Sequence, residues 1–167
     1  VVADHAGQTI AGVRAGVGDV EDRTVLDIGA RSDPDEIHGA HLGQNDLPLA
    51  AARRLVGSRM ILGISTENLS QAQTAQQNAC NAGPTYIALG PMFPTRTKEK
   101  PRLAGPRFAA EAHAAISLPL VPIGGITPEN IAELTAAGIV RAAVCAAIIS
   151  QESPLTQARI FLQKLPP

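Results

Sequence analysis

The chain has 167 residues, 45% of them hydrophobic and 15 of them glycine, which suits one folded domain with a sizeable core and argues against a disordered chain. Its 14 basic residues balance 15 acidic ones, and one Tyr, three Phe and no Trp leave little to stack on bases, so nucleic acid is not an expected partner. Two cysteines are too few for a disulfide framework or a cysteine-built zinc site, and no uninterrupted apolar run reaches the roughly 18 residues of a membrane span, so a cytoplasmic chain without membrane contact is expected.

Residues 1 to 23 carry Gly7, Gly12, Gly16 and Gly18 among scattered valines and alanines, and a short, broken helix is expected there. Thr24 to Gly29 reads as a strand with Asp27 near its carboxyl end. Gly39 to Gly43 reads as a very short second strand, followed by the loop Gln44-Asn45-Asp46 and a helix that Pro48 starts and Gly57 stops. Met60 to Ser65 is a third strand, and Ser65 or Thr66 is expected to cap the helix from about Glu67 to Ala82, whose alanine-rich face permits close packing.

Thr85 to Leu89 supplies β-forming bulk in Tyr86, Ile87 and Leu89, and Pro91 and Pro94 then force the chain out of the sheet. The loop that follows carries Thr95, Thr97 and Lys98. Two hydroxyls two residues apart, with a cation beside them, are anion-binding chemistry, although Thr-x-Thr-Lys by itself fits a solvated loop as well. A helix from Pro106 to Ile116, a fifth strand from Leu118 to Gly125, a helix opened by Thr127-Pro128, and an apolar sixth strand from Arg141 to Ile148 come next. A closing helix carries Leu155, Ala158, Leu162 and Leu165 as its apolar stripe. Cys80 falls in a predicted helix and Cys145 in a predicted strand, both expected as buried thiols.

Six short apolar strands alternating with helices predict an α/β fold with a parallel sheet, in one domain spanning residues 1–167. The carboxyl ends of parallel strands form one rim, where ligands bind. Asp27, His41, Asp46, Ser65, Thr95 to Lys98, Gly124-Gly125 and the turn at Ala146-Ala147 gather on it. Asp27 and Asp46 are either a turn residue and a helix cap or a pair of Mg²⁺ ligands, since Mg²⁺ takes one or two carboxylates plus water and substrate phosphates. His41 is either a structural histidine or part of the site. Gly124-Gly125 is either a tight turn or a place where a phosphate approaches backbone N–H groups.

The ordered set His41-Leu42-Gly43-Gln44-Asn45-Asp46, Gly63-Ile64-Ser65-Thr66, Gly90-Pro91-Met92-Phe93-Pro94-Thr95-Arg96-Thr97-Lys98 and Ile123-Gly124-Gly125-Ile126 resembles thiamine-phosphate synthase from about Leu26 to the C-terminus. The resemblance implies a (β/α)₈ TIM barrel, here without a match to the first two strands. It also implies condensation of hydroxymethylpyrimidine pyrophosphate with thiazole phosphate, with release of pyrophosphate. By the same resemblance Asp27 and Asp46 hold Mg²⁺, Lys98 faces pyrophosphate, and Ser65 and His41 contact the pyrimidine. Thr95, Thr97, Gly125, Ala146 and Ala147 form the thiazole-phosphate site. The implied partners are these small phosphorylated substrates, and an unpaired sheet edge would be covered or would pair with another copy in a homo-oligomer.

Three departures qualify the likeness. Leu26 stands where the family carries an amide, Ala146 where it often carries Ser, and its Gln-x-Arg-x-Lys motif finds no match in Val1 to Arg23. A truncated chain is the expected explanation, with thiazole phosphate bound but little synthase turnover. Two other readings are a thiazole tautomerase, which would need a histidine where Glu67 stands, and a non-catalytic phosphate-binding remnant.

Overall fold

The computed structural model describes residues 39–78, 83–95 and 103–166, together with the backbone of four two-residue strands before them. Those four are β1 (Val2–Ala3), β2 (Thr9–Ile10), β3 (Gly12–Val13) and β4 (Ile28–Gly29). β1 pairs antiparallel with β2, and β3 with β4. The helix expected within residues 1 to 23 is therefore replaced at these positions by strands. Val, Thr and Ile supply β-branched side chains there, and the glycines interrupt any helical period. Ile28–Gly29, expected to run parallel in the main sheet, instead pairs antiparallel with Gly12–Val13.

The main sheet has four parallel strands in the order β5 (Gly39–Leu42), β6 (Ile61–Thr66), β7 (Tyr86–Leu89) and β8 (Leu120–Pro122). Helices connect them: α1 (Leu49–Val56) after β5, α2 (Leu69–Gln77) after β6 and α3 (Gly105–Ala115) after β7. Then follow α4 (Ile131–Ala136), α5 (Ala146–Ile149) and α6 (Pro154–Lys164). The result is the α/β class with a parallel sheet. Consecutive parallel strands joined through helices put every strand's carboxyl end on the same rim.

Alternation and register divide the sheet into two faces. Leu42, Leu62, Ile87, Leu89 and Leu120 belong to one face and are buried. Most of the helices pack there: Ala72 and Ala75 of α2, Phe108, Ala109 and Ala112 of α3, and Ile131 and Leu134 of α4 form one core with Ile87 and Leu89. α1 closes a smaller core over Ala40, Leu42 and Leu62. Each fully buried Leu or Ile stabilises the fold by about 1.5–3 kcal/mol, so this face carries most of the sheet's stability. The other face presents His41, Gly63, Ser65, Tyr86, Ala88 and Val121.

Several boundaries move for identifiable reasons. Asn68, not Ser65 or Thr66, caps α2: its side chain accepts from Gln71 N–H at 3.0 Å, and Gln71 Oε1 accepts from Glu67 N–H at 2.7 Å. Thr66 is still in the strand, and its buried hydroxyl donates to the Ala88 carbonyl at 3.0 Å. The predicted sixth strand shrinks to one parallel bridge, Ile123 with Ala143. Ala142 and Val144 there are buried in the core, so the apolar run is explained by packing and needs no long ladder. Cys145 is exposed, contrary to the expected buried thiol, and Cys80 lies outside the described residues. In α6 Leu155 and Leu162 are exposed while Phe161 is buried, so the helix seats the largest side chain, flanked by Ala158 and Leu165, against the core. No helix among the described residues is long and apolar enough to cross a membrane.

Candidate active site at the carboxyl rim

Register brings three polar side chains together. His41 of β5 is aligned with Gly63 of β6, and Gly63 with Tyr86 of β7. Because Gly63 has no side chain, His41 and Tyr86 meet across it: the rings stack with centroids 5.6 Å apart, and His41 Nδ1 lies 2.8 Å from Tyr86 Oη. A Cβ at Gly63 would fall 2.5 Å from His41 Nδ1 and into the phenol ring. The other imidazole nitrogen, Nε2, lies 2.8 Å from Ser65 Oγ. Burial lowers the His41 pKa from its usual 6.5, with the Asp46 carboxylate pulling the other way, and burial pushes Tyr86 up to about 12. At neutral pH both are uncharged.

The loop after β5 is tied to this cluster. Asp46 Oδ2 accepts from Gly43 N–H at 2.6 Å, which fixes the carboxylate at the strand end, and Gln44 Nε2 donates to the Ser65 carbonyl at 2.6 Å. Among the described residues no group of three His, Cys, Asp or Glu could hold a metal ion.

The loops after β7 and β8 run side by side beyond the strands. Met92 N–H donates to the Ile123 carbonyl and Phe93 N–H to the Gly124 carbonyl, each at 3.0 Å. Gly124 and Gly125 have φ of 96° and 64°, the left-handed region that favours glycine. A Cβ on Gly125 would lie 2.6 Å from the Phe93 carbonyl oxygen, so the close approach itself also demands glycine. Asn130 locks the turn by donating to the Gly125 carbonyl at 2.9 Å and accepting from Thr127 N–H at 2.8 Å. Thr95, half-buried, directly follows Pro94, whose carbonyl also faces Gly125. The bridge from Ile123 to Ala143 then carries the chain beside β8 toward Ala146, exposed, and Ala147, half-buried, at the start of α5.

Of the residues expected at the site, His41 and Ser65 are in direct contact, Asp46 is two residues beyond Gln44, which bonds Ser65, and Gly125 adjoins the segment leading to Thr95. Glu67 is exposed after β6. Asp27, Thr97 and Lys98 lie outside the described residues. Tyr86 supplies strand bulk in the sequence, and only register places it at the site; the signal for it is the single phenol hydroxyl in a strand that is otherwise apolar. A cavity of about 260 Å³ is lined by His113, Leu118, Leu120, Val140 and Arg141, at the opposite end of β8 from this rim. None of the candidate residues lines it.

Fold and site define a βα-repeat protein whose polar groups converge at the carboxyl ends of parallel strands. The thiamine monophosphate synthase family profile matches residues 21–148, and the chain belongs to that family. A thiamine-phosphate synthase of Chlorobium luteolum is 42% identical over 137 residues, covering 81% of this chain and 61% of that protein. One from Prochlorococcus marinus is 38% identical over 127 residues, covering 76% of this chain and 36% of that one. The structure of a thiamine phosphate pyrophosphorylase from Pyrococcus furiosus superposes with a TM-score of 0.66 at 27% identity, covering 77% of this chain and 58% of that one. The chain thus spans between about one third and three fifths of the length of these relatives.

Proposed function

We propose that this chain acts in thiamine biosynthesis as a thiamine-phosphate synthase in the cytoplasm, joining hydroxymethylpyrimidine pyrophosphate to thiazole phosphate. The observation that carries the reading is the convergence on one rim of the His41–Ser65 pair, the Asp46 loop and the Gly124-Gly125 turn packed against Phe93 and Pro94. In this reading the four parallel strands belong to a (β/α)₈ barrel within a single domain over residues 1–167. Its remaining edges would be covered by further strands or by a second copy.

The reaction builds negative charge on departing pyrophosphate while a pyrimidine cation forms, and the thiazole nitrogen captures that cation. Lys98 would stabilise the pyrophosphate, and Ser65, held by His41 behind it, would fix the pyrimidine edge in register with the incoming nitrogen. Thr95, Thr97 and Gly125, with Ala146 and Ala147 at the start of the next helix, would hold the thiazole phosphate through hydroxyls and backbone N–H groups. Asp46 suits a hard cation: one carboxylate oxygen is fixed by Gly43 N–H, and among the described residues no donor meets the other. Together Asp46 and Asp27 would hold Mg²⁺, which when bound neutralises pyrophosphate charge, with water and substrate oxygens completing its shell.

The test has two arms: titration of the chain with thiazole phosphate, and chromatographic detection of thiamine phosphate after incubation with both substrates and Mg²⁺. Thiazole phosphate should bind saturably. Leu26 in place of an amide should leave turnover about 10²-fold below that of the Chlorobium relative, because a lost charge-stabilising donor costs roughly 10²- to 10³-fold. Failure of a folded chain to bind thiazole phosphate would sink the reading.

A further inference from the structure

Tyr86, His41 and Ser65, from three adjacent strands, form a continuous hydrogen-bonded chain with both links at 2.8 Å. A neutral imidazole has one N–H and one lone pair, so the chain has two directions, and three physical preferences select between them. A phenol donates more strongly and accepts more weakly than an aliphatic alcohol, because its lone pair is delocalised into the ring. Tyr86 has one hydroxyl hydrogen, and among the described residues its partner is His41 Nδ1, so the reverse direction would leave a half-buried donor unmet. Ser65 stands closer to the carboxyl rim and is half-exposed, so its own hydrogen reaches water or a ligand when it is not directed at the imidazole.

We infer that Tyr86 O–H donates to His41 Nδ1, that His41 Nε2–H donates to Ser65 Oγ, and that Ser65 therefore presents its O–H outward to a ligand atom bearing a lone pair. For the identity of that atom, a ring nitrogen of the pyrimidine substrate, the inference rests on the synthase reading; the direction of the chain does not. Tyr86 is a positioning residue, acting through His41 on the donor that Ser65 offers. A ligand lone pair at this position meets the Ser65 hydrogen directly, whereas a ligand N–H would have to take the one lone pair that Ser65 Oγ keeps, so the relay favours an acceptor atom.

Nitrogen-15 NMR of the histidine-labelled, ligand-free chain tests the direction, with the His41 signals assigned by their loss in His41→Gln. The expected result is a pyridine-type Nδ1 and a pyrrole-type Nε2; the reverse assignment overturns the inference. Tyr86→Phe should move His41 toward the Nδ1–H tautomer. It should also weaken hydroxymethylpyrimidine pyrophosphate binding by about 3- to 10-fold, the range of one hydrogen bond, with thiazole phosphate binding unchanged. An unaltered tautomer in Tyr86→Phe, which is what a purely packing role would give, would remove Tyr86 from this role. If the Nε2–H tautomer is found but the wild-type chain binds no pyrimidine substrate, the synthase reading falls and the direction of the relay is supported.

Discussion

Gly63→Ala sets two effects of opposite sign against each other. Gly63 lies inside β6, and its φ is outside the left-handed region, so on backbone grounds alanine should stabilise the strand by about 0.5–1 kcal/mol. The added Cβ, however, would lie 2.5 Å from His41 Nδ1 and inside the Tyr86 ring. If the rings hold their places, overpacking costs about 1–3 kcal/mol. If Tyr86 swings away, its hydrogen bond to His41 is lost, worth about 0.5–1.5 kcal/mol, along with part of the burial of its ring. The clash should win, leaving a net destabilisation of about 0.5–2 kcal/mol. Urea unfolding followed by circular dichroism measures this as a lower midpoint with an unchanged slope. In a Tyr86→Ala background most of the obstruction is gone, and Gly63→Ala should become neutral or stabilising, a coupling that a double-mutant cycle reads directly. Stabilisation by Gly63→Ala in the wild-type background, or the same effect in both backgrounds, would refute the reasoning.

Gly125→Ala should be the more damaging glycine change, at about 2–4 kcal/mol, since it combines a left-handed φ with backbone carbonyls of Phe93 and Pro94 that cannot rotate away; an unchanged urea midpoint would contradict the packing of the two loops. Asp46→Ala should abolish most Mg²⁺ uptake measured by calorimetry in the presence of pyrophosphate, and equal uptake by wild type and variant would count against the cation site. Burial keeps the His41 pKa below 6.5, so as pH falls past that value the unfolded chain takes up the proton first, and stability declines until the folded-state pKa is reached. His41→Gln should flatten that acid limb of the urea midpoint, and a stability that rises as pH drops through the same window would show the sign to be wrong.

Much of the architecture was legible along the chain because it rests on local chemistry. Pro48 and Gly57 bracket α1 at the expected places, Gly90-Pro91 ends β7, and alternating apolar strands and alanine-rich helices specify parallel βα units. The rim was legible for the same reason: in a parallel sheet the carboxyl ends of the strands and the loops after them lie on a common side, so His41, Asp46, Ser65 and Gly125 could be grouped without coordinates. Where the structure departs from the local pattern, a nonlocal partner decides. Thr66 was free to cap a helix until the Ala88 carbonyl of the next strand claimed its hydroxyl, and Leu155 and Leu162 formed a plausible stripe until Phe161 took the core position.

The role of Tyr86 belongs to this second kind. Alternation within a strand assigns each residue to a face, but the residue beside it in the next strand is set by register, which depends on how whole strands and their helices pack. Register aligned His41, Gly63 and Tyr86 in one row, and the missing side chain in the middle let the outer two meet. His41, Gly63 and Tyr86 are separated by 22 and 23 positions in sequence, and nothing local to any of them encodes the other two. The sequence therefore determined that a polar rim exists, whereas the tertiary structure decided which of its side chains touch, because hydrogen bonds between strands depend on a lateral alignment that no single strand contains.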